Sequence, residues 1–256
     1  MTARALRFGS VAAAYERFRP GYPVEIVDRV MVYAGRPVRT ALEVGAGTGK
    51  ATRLFTQRGV AVVATDPDPA MLDELRKHVP EARTAHAGFE DLSTDERFDL
   101  VYAAAAMHWT RPDGRWSRVA ALLEPGGVFA NFGGPVRFAD PALEQAVQEA
   151  RSPFLPTDEV PSPDETPPDQ HLQWPGTELE TSEWFTDVEQ VEIPRHLAVD
   201  AGDYVGYLST VSAYLELPTA VQQLALERIA AVLPETVEID ADITLHLARR
   251  GHPPRL

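Results

Sequence analysis

Glu43 stands near the end of a short apolar run, and Gly45, Gly47 and Gly49 follow it at every second position. Glycine lets the backbone turn sharply and lie close against a bound molecule. A helix begins after Gly49, and a helix start presents free N–H groups with positive partial charge. A second apolar run, 60–65, ends at Asp66. A carboxylate about 20 residues beyond such a loop is placed to accept hydrogen bonds from a ribose diol. Together these residues describe a strand–loop–helix–strand unit that binds a nucleoside. The run Asp66-Pro67-Asp68-Pro69 also reads as a helix start, because Asp caps and Pro suits the first turn. The two roles are compatible.

The spacing separates two nucleoside chemistries. A dinucleotide loop reads G-x-G-x-x-G and seats a pyrophosphate on the helix N-terminus. Here the loop reads G-x-G-x-G, with Glu43 two residues ahead of it. A pyrophosphate beside Glu43 is repelled, whereas an ammonium is attracted. S-adenosyl-L-methionine carries an ammonium and no phosphate. At Glu43–Gly49 the chain resembles the class I S-adenosylmethionine-dependent methyltransferases. Further matches are Phe98-Asp99-Leu100-Val101 and Leu122-Leu123-Glu124-Pro125-Gly126-Gly127. The opening Tyr15-Glu16-Arg17-Phe18-Arg19-Pro20-Gly21-Tyr22-Pro23 and the tip Met107-His108-Trp109 are similar to a bacterial small-molecule subgroup that includes trans-aconitate-type enzymes.

That resemblance implies roles for particular residues. Glu43, Gly45, Ala46, Gly47 and Gly49 take the methionine part of the cofactor, and Asp66, with Pro67 and Met71 beside it, takes the ribose. The third strand tip covers the adenine. There Gly88 occupies a position where the family often has an acid, so adenine recognition falls to the backbone at Gly88 and Phe89 or to Glu90. Phe89 reads equally well as core. The fourth tip, from Ala103 to Trp109, faces the methyl group. His108 is the candidate for chemistry: as a base, a role that suits the ordinary imidazole pKa of about 6.5, or as a substrate orienter or helix-start residue. Trp109 lines the substrate pocket, stacks on the cofactor or packs in the core. Tyr15, Arg19 and Tyr22 suggest an N-terminal lid over 1–23, in which Arg19 pairs with the cofactor's carboxylate. Trp174 is a candidate substrate wall. No His/Asp/Glu grouping has metal-ligand spacing.

The elements that must position these residues alternate. Helical patterns at 11–19, 24–33, 51–58, 70–78 and 116–123 interleave with apolar runs at 40–44, 60–65, 82–86, 98–103 and 128–132. Such alternation gives a parallel sheet with right-handed crossovers. Residues 141–151, 203–210 and 220–232 read as helices, and 188–199 and 237–249 as two long strands. The resemblance completes the picture: a Rossmann-like three-layer α/β sandwich with a seven-stranded, mostly parallel sheet and an antiparallel last strand. The whole of 1–256 is then one domain, with an insertion over 138–186 after strand 5. Within it, 152–184 is rich in Pro and acids and holds no Lys or Arg.

Composition narrows the function classes. The 256 residues carry a formal charge of −14 and no cysteine. Strong acidity disfavours a nucleic-acid partner, which requires basic patches. Without cysteine there is no disulfide or thiolate chemistry. Residues 1–10 lack a signal-peptide shape, and no run approaches the roughly 20 apolar residues of a membrane span. The expectation is a cytoplasmic protein, monomer or homodimer, with a small-molecule partner. Lys50 and Lys77 are the only lysines, which suits a GC-rich bacterial origin. The leading expectation is methyl transfer at oxygen, to a carboxylate or hydroxyl. N-methylation of a small amine and a nicotinamide-dependent oxidoreductase are the rivals. The second lacks the G-x-x-G spacing and a Tyr-x-x-x-Lys pair.

Overall fold

The computed structural model describes residues 5–157, 161–167 and 169–251. Residues 1–4 of the expected lid, and 158–160 and 168 of the expected insertion, lie outside the described residues, as do 252–256. A 3-10 turn, Ala5–Val11, leads into α1 (Ala12–Phe18), and α2 (Glu25–Ala34) follows. Then come β1 (Thr40–Val44), α3 (Thr52–Thr56), β2 (Ala61–Asp66), α4 (Pro69–His78), β3 (Arg83–His86) and β4 (Phe98–Ala104). The 3-10 turn Met107–Trp109 precedes α5 (Arg115–Leu122), β5 (Leu123–Gly133), β6 (Arg137–Phe138) and α6 (Pro141–Arg151). The chain ends through α7 (Gly176–Thr181), β7 (Phe185–Ile193), β8 (His196–Asp200), α8 (Ala201–Leu208), α9 (Ser212–Leu215), α10 (Thr219–Ala230), β9 (Thr236–Asp240) and β10 (Ile243–Arg250).

Seven strands form the main sheet in the order β3-β2-β1-β4-β5-β10-β7. β1 to β5 pair in parallel, and β10 runs antiparallel to both its neighbours. The central strands are apolar on both faces, as burial between helical layers demands; Ala41, Leu42, Val44, Leu100, Val101 and Tyr102 are all buried. Local chemistry sets the helix boundaries. Asp68 caps α4 by accepting from the Ala70 N–H at 2.9 Å, with Pro69 in the first turn. Gly35 closes α2 at φ +62°, a left-handed C-cap that a side chain resists.

The strand order reverses between β1 and β4, because the chain leaves β3 and returns on the far side of β1. Helices then diverge on opposite faces and leave a crevice beyond the strand ends, where ligands of such sheets bind. Glu43 to Gly47 and Ala104 to Ala105 stand at that crevice.

Two strand expectations are corrected. The run 188–199 is not one strand: Phe185–Ile193 belongs to the main sheet and His196–Asp200 to a second, three-stranded sheet, β6-β9-β8. Likewise 237–249 divides into Thr236–Asp240 in the small sheet and Ile243–Arg250 in the main one. Both runs keep period-2 alternation through the break, so periodicity alone cannot reveal it. The breaks lie side by side. The Arg195 N–H donates to Asp242 Oδ1 at 2.7 Å, and the Ala241 N–H donates to the Arg195 carbonyl at 2.8 Å. Pro194 and Asp242 were the only local signs. The small sheet carries its own core, where Phe138, Val147, Tyr204, Leu208, Tyr214 and Ile239 meet. α6 packs there, while α7 packs on β7 and β10 of the main sheet.

Candidate active site

Glu43 is fully buried in β1. In the parallel register its partner on β4 is Tyr102, and the Tyr102 hydroxyl donates to Glu43 Oε2 at 2.9 Å. Thr52, at the start of α3, donates to the same oxygen at 2.5 Å. Glu43 Oε1 is buried and has no hydrogen-bond partner among the described residues. Burial lifts the carboxyl to about pKa 8, against the pull of Thr52 and Tyr102 and with added repulsion from Asp66. A buried carboxylate oxygen without a donor is costly. Its residue lines the crevice cavity, so a ligand donor or cation there supplies what the protein does not.

The glycine loop is built for close approach. Gly45 has φ +67°, and a Cβ on it would lie 2.6 Å from the Ala106 Cβ. Gly47 has φ +55°, and the nearest atom to a Cβ there is the Met71 methyl at 3.8 Å. Conformation and not crowding fixes glycine at that position, and space remains over the loop. Gly49 packs toward Leu75 and Val79, away from the cavity. Asp66 holds the loop in place. Its Oδ2 accepts the Gly47 N–H at 2.9 Å, and its Oδ1 accepts the Asp68 N–H at 2.8 Å. Burial raises Asp66 to about pKa 6 against those two N–H groups.

An N-terminal arm closes the crevice. Tyr15, Arg19 and Tyr22 line a cavity of about 100 Å³ with Glu43, Gly45, Ala46 and Gly47. Tyr22 meets Phe132 edge-on, with centroids 5.1 Å apart. Glu16 of α1 binds the arm to the glycine loop. Its Oε2 accepts from the Thr48 hydroxyl at 2.6 Å and lies 3.5 Å from the Lys50 ammonium, while Oε1 accepts from Arg53 at 2.8 Å. Burial works to raise its pKa, and Thr48, Arg53 and Lys50 nonetheless hold it below the usual range. Arg19 reaches the other way: Nε and Nη2 donate to the Thr210 hydroxyl and carbonyl, each at 2.9 Å. The arm therefore ties the glycine loop to the helices of the small sheet.

The structure does not gather all the expected residues. Ala104 and Ala105 line the cavity, the latter at φ +50°, whereas Ala103 is a core residue of β4. His108 and Trp109 occupy the 3-10 turn just beyond, their rings 4.6 Å apart, and Trp109 also meets Phe8 at 6.3 Å. Neither lines the cavity. Phe89 is buried in the core on the α5 face of the sheet. Gly88 accepts backbone N–H groups from Asp91 and Leu92 through its carbonyl. Glu90 Oε1 accepts the Arg111 N–H at 2.6 Å. The Pro67 carbonyl lies 2.9 Å from His86 Nε2. Trp174 packs in the same core as Phe89, with the Arg115 guanidinium 5.3 Å above its ring, remote from the cavity lining. Among the described residues no cluster of three His, Cys, Asp or Glu could hold a metal, and no helix is long and apolar enough to cross a membrane.

Sequence reasoning missed Glu16, Thr48, Lys50, Arg195 and Asp242. Lys50 could have been found from its place directly after the glycine loop. Arg195 and Asp242 reach the cavity only because the two sheet breaks meet there.

Residues 41–127 match the family model described as a methyltransferase domain. An uncharacterized methyltransferase of Mycobacterium tuberculosis is 44% identical over 124 residues, covering 48% of this chain and 50% of that protein. Trans-aconitate 2-methyltransferase of Delftia acidovorans is 35% identical over 123 residues, 46% of this chain and 44% of that protein. The chain thus spans about half the length of the curated relatives it matches. A solved structure assigned as a type II methyltransferase of Anaeromyxobacter dehalogenans aligns over 91% of this chain and 98% of its own, at TM-score 0.66 and 26% identity. Residues 41–127 thus match a methyltransferase domain, and the chain folded around them shares the Rossmann-like fold of that solved methyltransferase.

Proposed function

We propose that this chain transfers a methyl group from S-adenosylmethionine to an oxygen, carboxylate or hydroxyl, of a small-molecule acceptor, acting as a single domain. The observation that carries this reading is Glu43 Oε1, buried and without a donor, at a cavity floored by a glycine loop. The residues fit this cofactor. Glu43 and the backbone of Gly45–Gly47 would hold its methionine end, and Asp66 its ribose. When bound, the cofactor supplies a methyl group on a sulfonium that is already a good leaving group.

The protein's own work is then alignment and exclusion of water. Glu43 holds the ligand's cationic group through the oxygen that Tyr102 and Thr52 leave free. Asp66 keeps the glycine loop rigid by accepting the Gly47 N–H. The arm covers the crevice and removes water from it. His108, beside the fourth strand tip, either takes a proton from a hydroxyl acceptor or orients a carboxylate one. The similarity to trans-aconitate 2-methyltransferases supports an oxygen acceptor. A nicotinamide dinucleotide suits the site less, since its pyrophosphate would meet Glu43.

The test is turnover with methyl-labelled cofactor and a panel of small acids, alcohols and amines. Label recovered in methyl esters or ethers supports the reading. Label recovered only in methylamines would replace oxygen with nitrogen.

A further inference from the structure

Two guanidinium groups reach the cavity, those of Arg19 and Arg195. The chain as a whole carries a formal charge of −14, yet among the described residues neither group is paired with a carboxylate. They differ in what remains available. Arg19 has its forked edge, Nε and Nη2, occupied by Thr210, and its face lies over Tyr15 and Tyr207 at 5.1 and 4.9 Å. It is held as part of the wall. Arg195 donates from Nη1 to the Gly21 carbonyl of the arm. Its Nε and Nη2 donate to no described residue. Asp242 lines the same cavity, but its Oδ1 takes the Arg195 backbone N–H and not the guanidinium.

The backbone around Arg195 is fixed. Its N–H is held by Asp242 and its carbonyl by the Ala241 N–H at 2.8 Å, at the seam where the chain passes between the two sheets. A half-buried guanidinium on such a backbone, with its forked edge free, has the geometry that binds carboxylate through two parallel N–H donors. Burial also lowers its pKa, a cost that an anion would relieve. Tyr22 stands beside it at the same cavity, as a neutral phenol able to donate.

We propose that the Nε–Nη2 edge of Arg195 is the cavity's fork for a ligand carboxylate, carried by either the cofactor or the acceptor. This rests on the function proposed above and deepens it. The sequence-based expectation gave the cofactor's carboxylate to Arg19, whose forked edge is taken by Thr210; the open fork is that of Arg195.

The two sources are separated by binding measurements on the full chain, with Arg195→Gln, Arg195→Lys and the parent compared after thermal melts confirm folding. S-adenosylhomocysteine carries the carboxylate, and methylthioadenosine lacks it. If the cofactor is the source, Arg195→Gln weakens S-adenosylhomocysteine on the order of 10- to 100-fold and leaves methylthioadenosine within about twofold. If the acceptor is the source, S-adenosylhomocysteine is unaffected. Succinate titrated into the S-adenosylhomocysteine complex then binds the parent and is lost in Arg195→Gln. Arg195→Lys recovers only part of either effect, because an ammonium lacks the fork. Unchanged S-adenosylhomocysteine affinity in Arg195→Gln, together with succinate binding that is equal or absent in both proteins, overturns the proposal. A parent that fails to bind S-adenosylhomocysteine sinks the function and not the fork. Succinate alone then decides: binding that Arg195→Gln abolishes keeps the proposal, and equal or absent binding in both proteins ends it.

Discussion

At the scale of single residues, the buried Glu43 is destabilising when ionised and unliganded. Its folded pKa is raised from 4.5 to about 8, chiefly by burial. The folded protein therefore keeps a proton that the unfolded chain releases near pH 4.5, and the stability from that proton is complete below this value. It is lost as pH rises toward about 8. Asp66, raised from 3.8 to about 6 for the same cause, adds a loss of the same sign over a lower window. Glu43→Gln keeps the shape without the charge. It should raise the melting temperature at pH 8 by about 2–10 °C, the equivalent of roughly 1–3 kcal/mol for a poorly satisfied buried group, while weakening S-adenosylhomocysteine. A melting temperature at pH 8 no higher than the parent's would show that ionised Glu43 is not destabilising. Binding of an ammonium also favours ionised Glu43, so calorimetry at pH 7 in buffers of different ionisation enthalpy should register proton release. His108 poses a different question. With a hydroxyl acceptor, His108→Ala should lower turnover by about 10²–10⁴. With a carboxylate acceptor the loss should be smaller and fall mainly on KM. Full activity with an unchanged pH profile would leave His108 a structural role beside Trp109.

Among the elements, the arm is the one whose position decides access. A cavity of about 100 Å³ is smaller than the roughly 300 Å³ at which ligand pockets begin, and the account predicts that the arm moves when the cofactor enters. Glu16 is its principal tie to the glycine loop, through Thr48, Lys50 and Arg53. Hydrogen exchange should show residues 8–22 opening more readily than the main sheet and gaining protection with S-adenosylhomocysteine. Glu16→Ala should speed exchange in that stretch and in 47–53 together, because one side chain joins them. Equal protection of the arm with and without ligand would count against a lid. The arm, whose Tyr15 and Tyr22 line the cavity, was legible in sequence as the broken helix before Pro20-Gly21. Its latch was not, because Glu16 and Lys50 meet only when α1 lies across the loop.

Across the whole molecule, the main sheet was legible because parallel strands buried on both faces leave continuous apolar runs, as at 40–44 and 98–103. Glu43 and Asp66 were legible as a pair because strand, glycine loop, helix and strand are local in sequence. The second sheet was not. Its strands continue the alternation of β7 and β10, and only tertiary contact tells which sheet each segment joins. Arg195 was missed with it. Trp174 was expected at the site on residue type alone, while its place was set by packing against α5 and α7. These outcomes follow one rule: local patterns record the cofactor half of the crevice, and long-range folding assembles the other half. The central claim, a nucleoside-sulfonium site built on Glu43, the glycine loop and Asp66, is tested most directly by calorimetric titration of S-adenosylhomocysteine into the parent and Asp66→Ala. The parent should bind, and Asp66→Ala should bind about 10- to 100-fold more weakly, the loss of roughly 1.5–3 kcal/mol expected for hydrogen bonds to a charged group. Equal affinity in the two proteins, or no binding by the parent, would contradict the account.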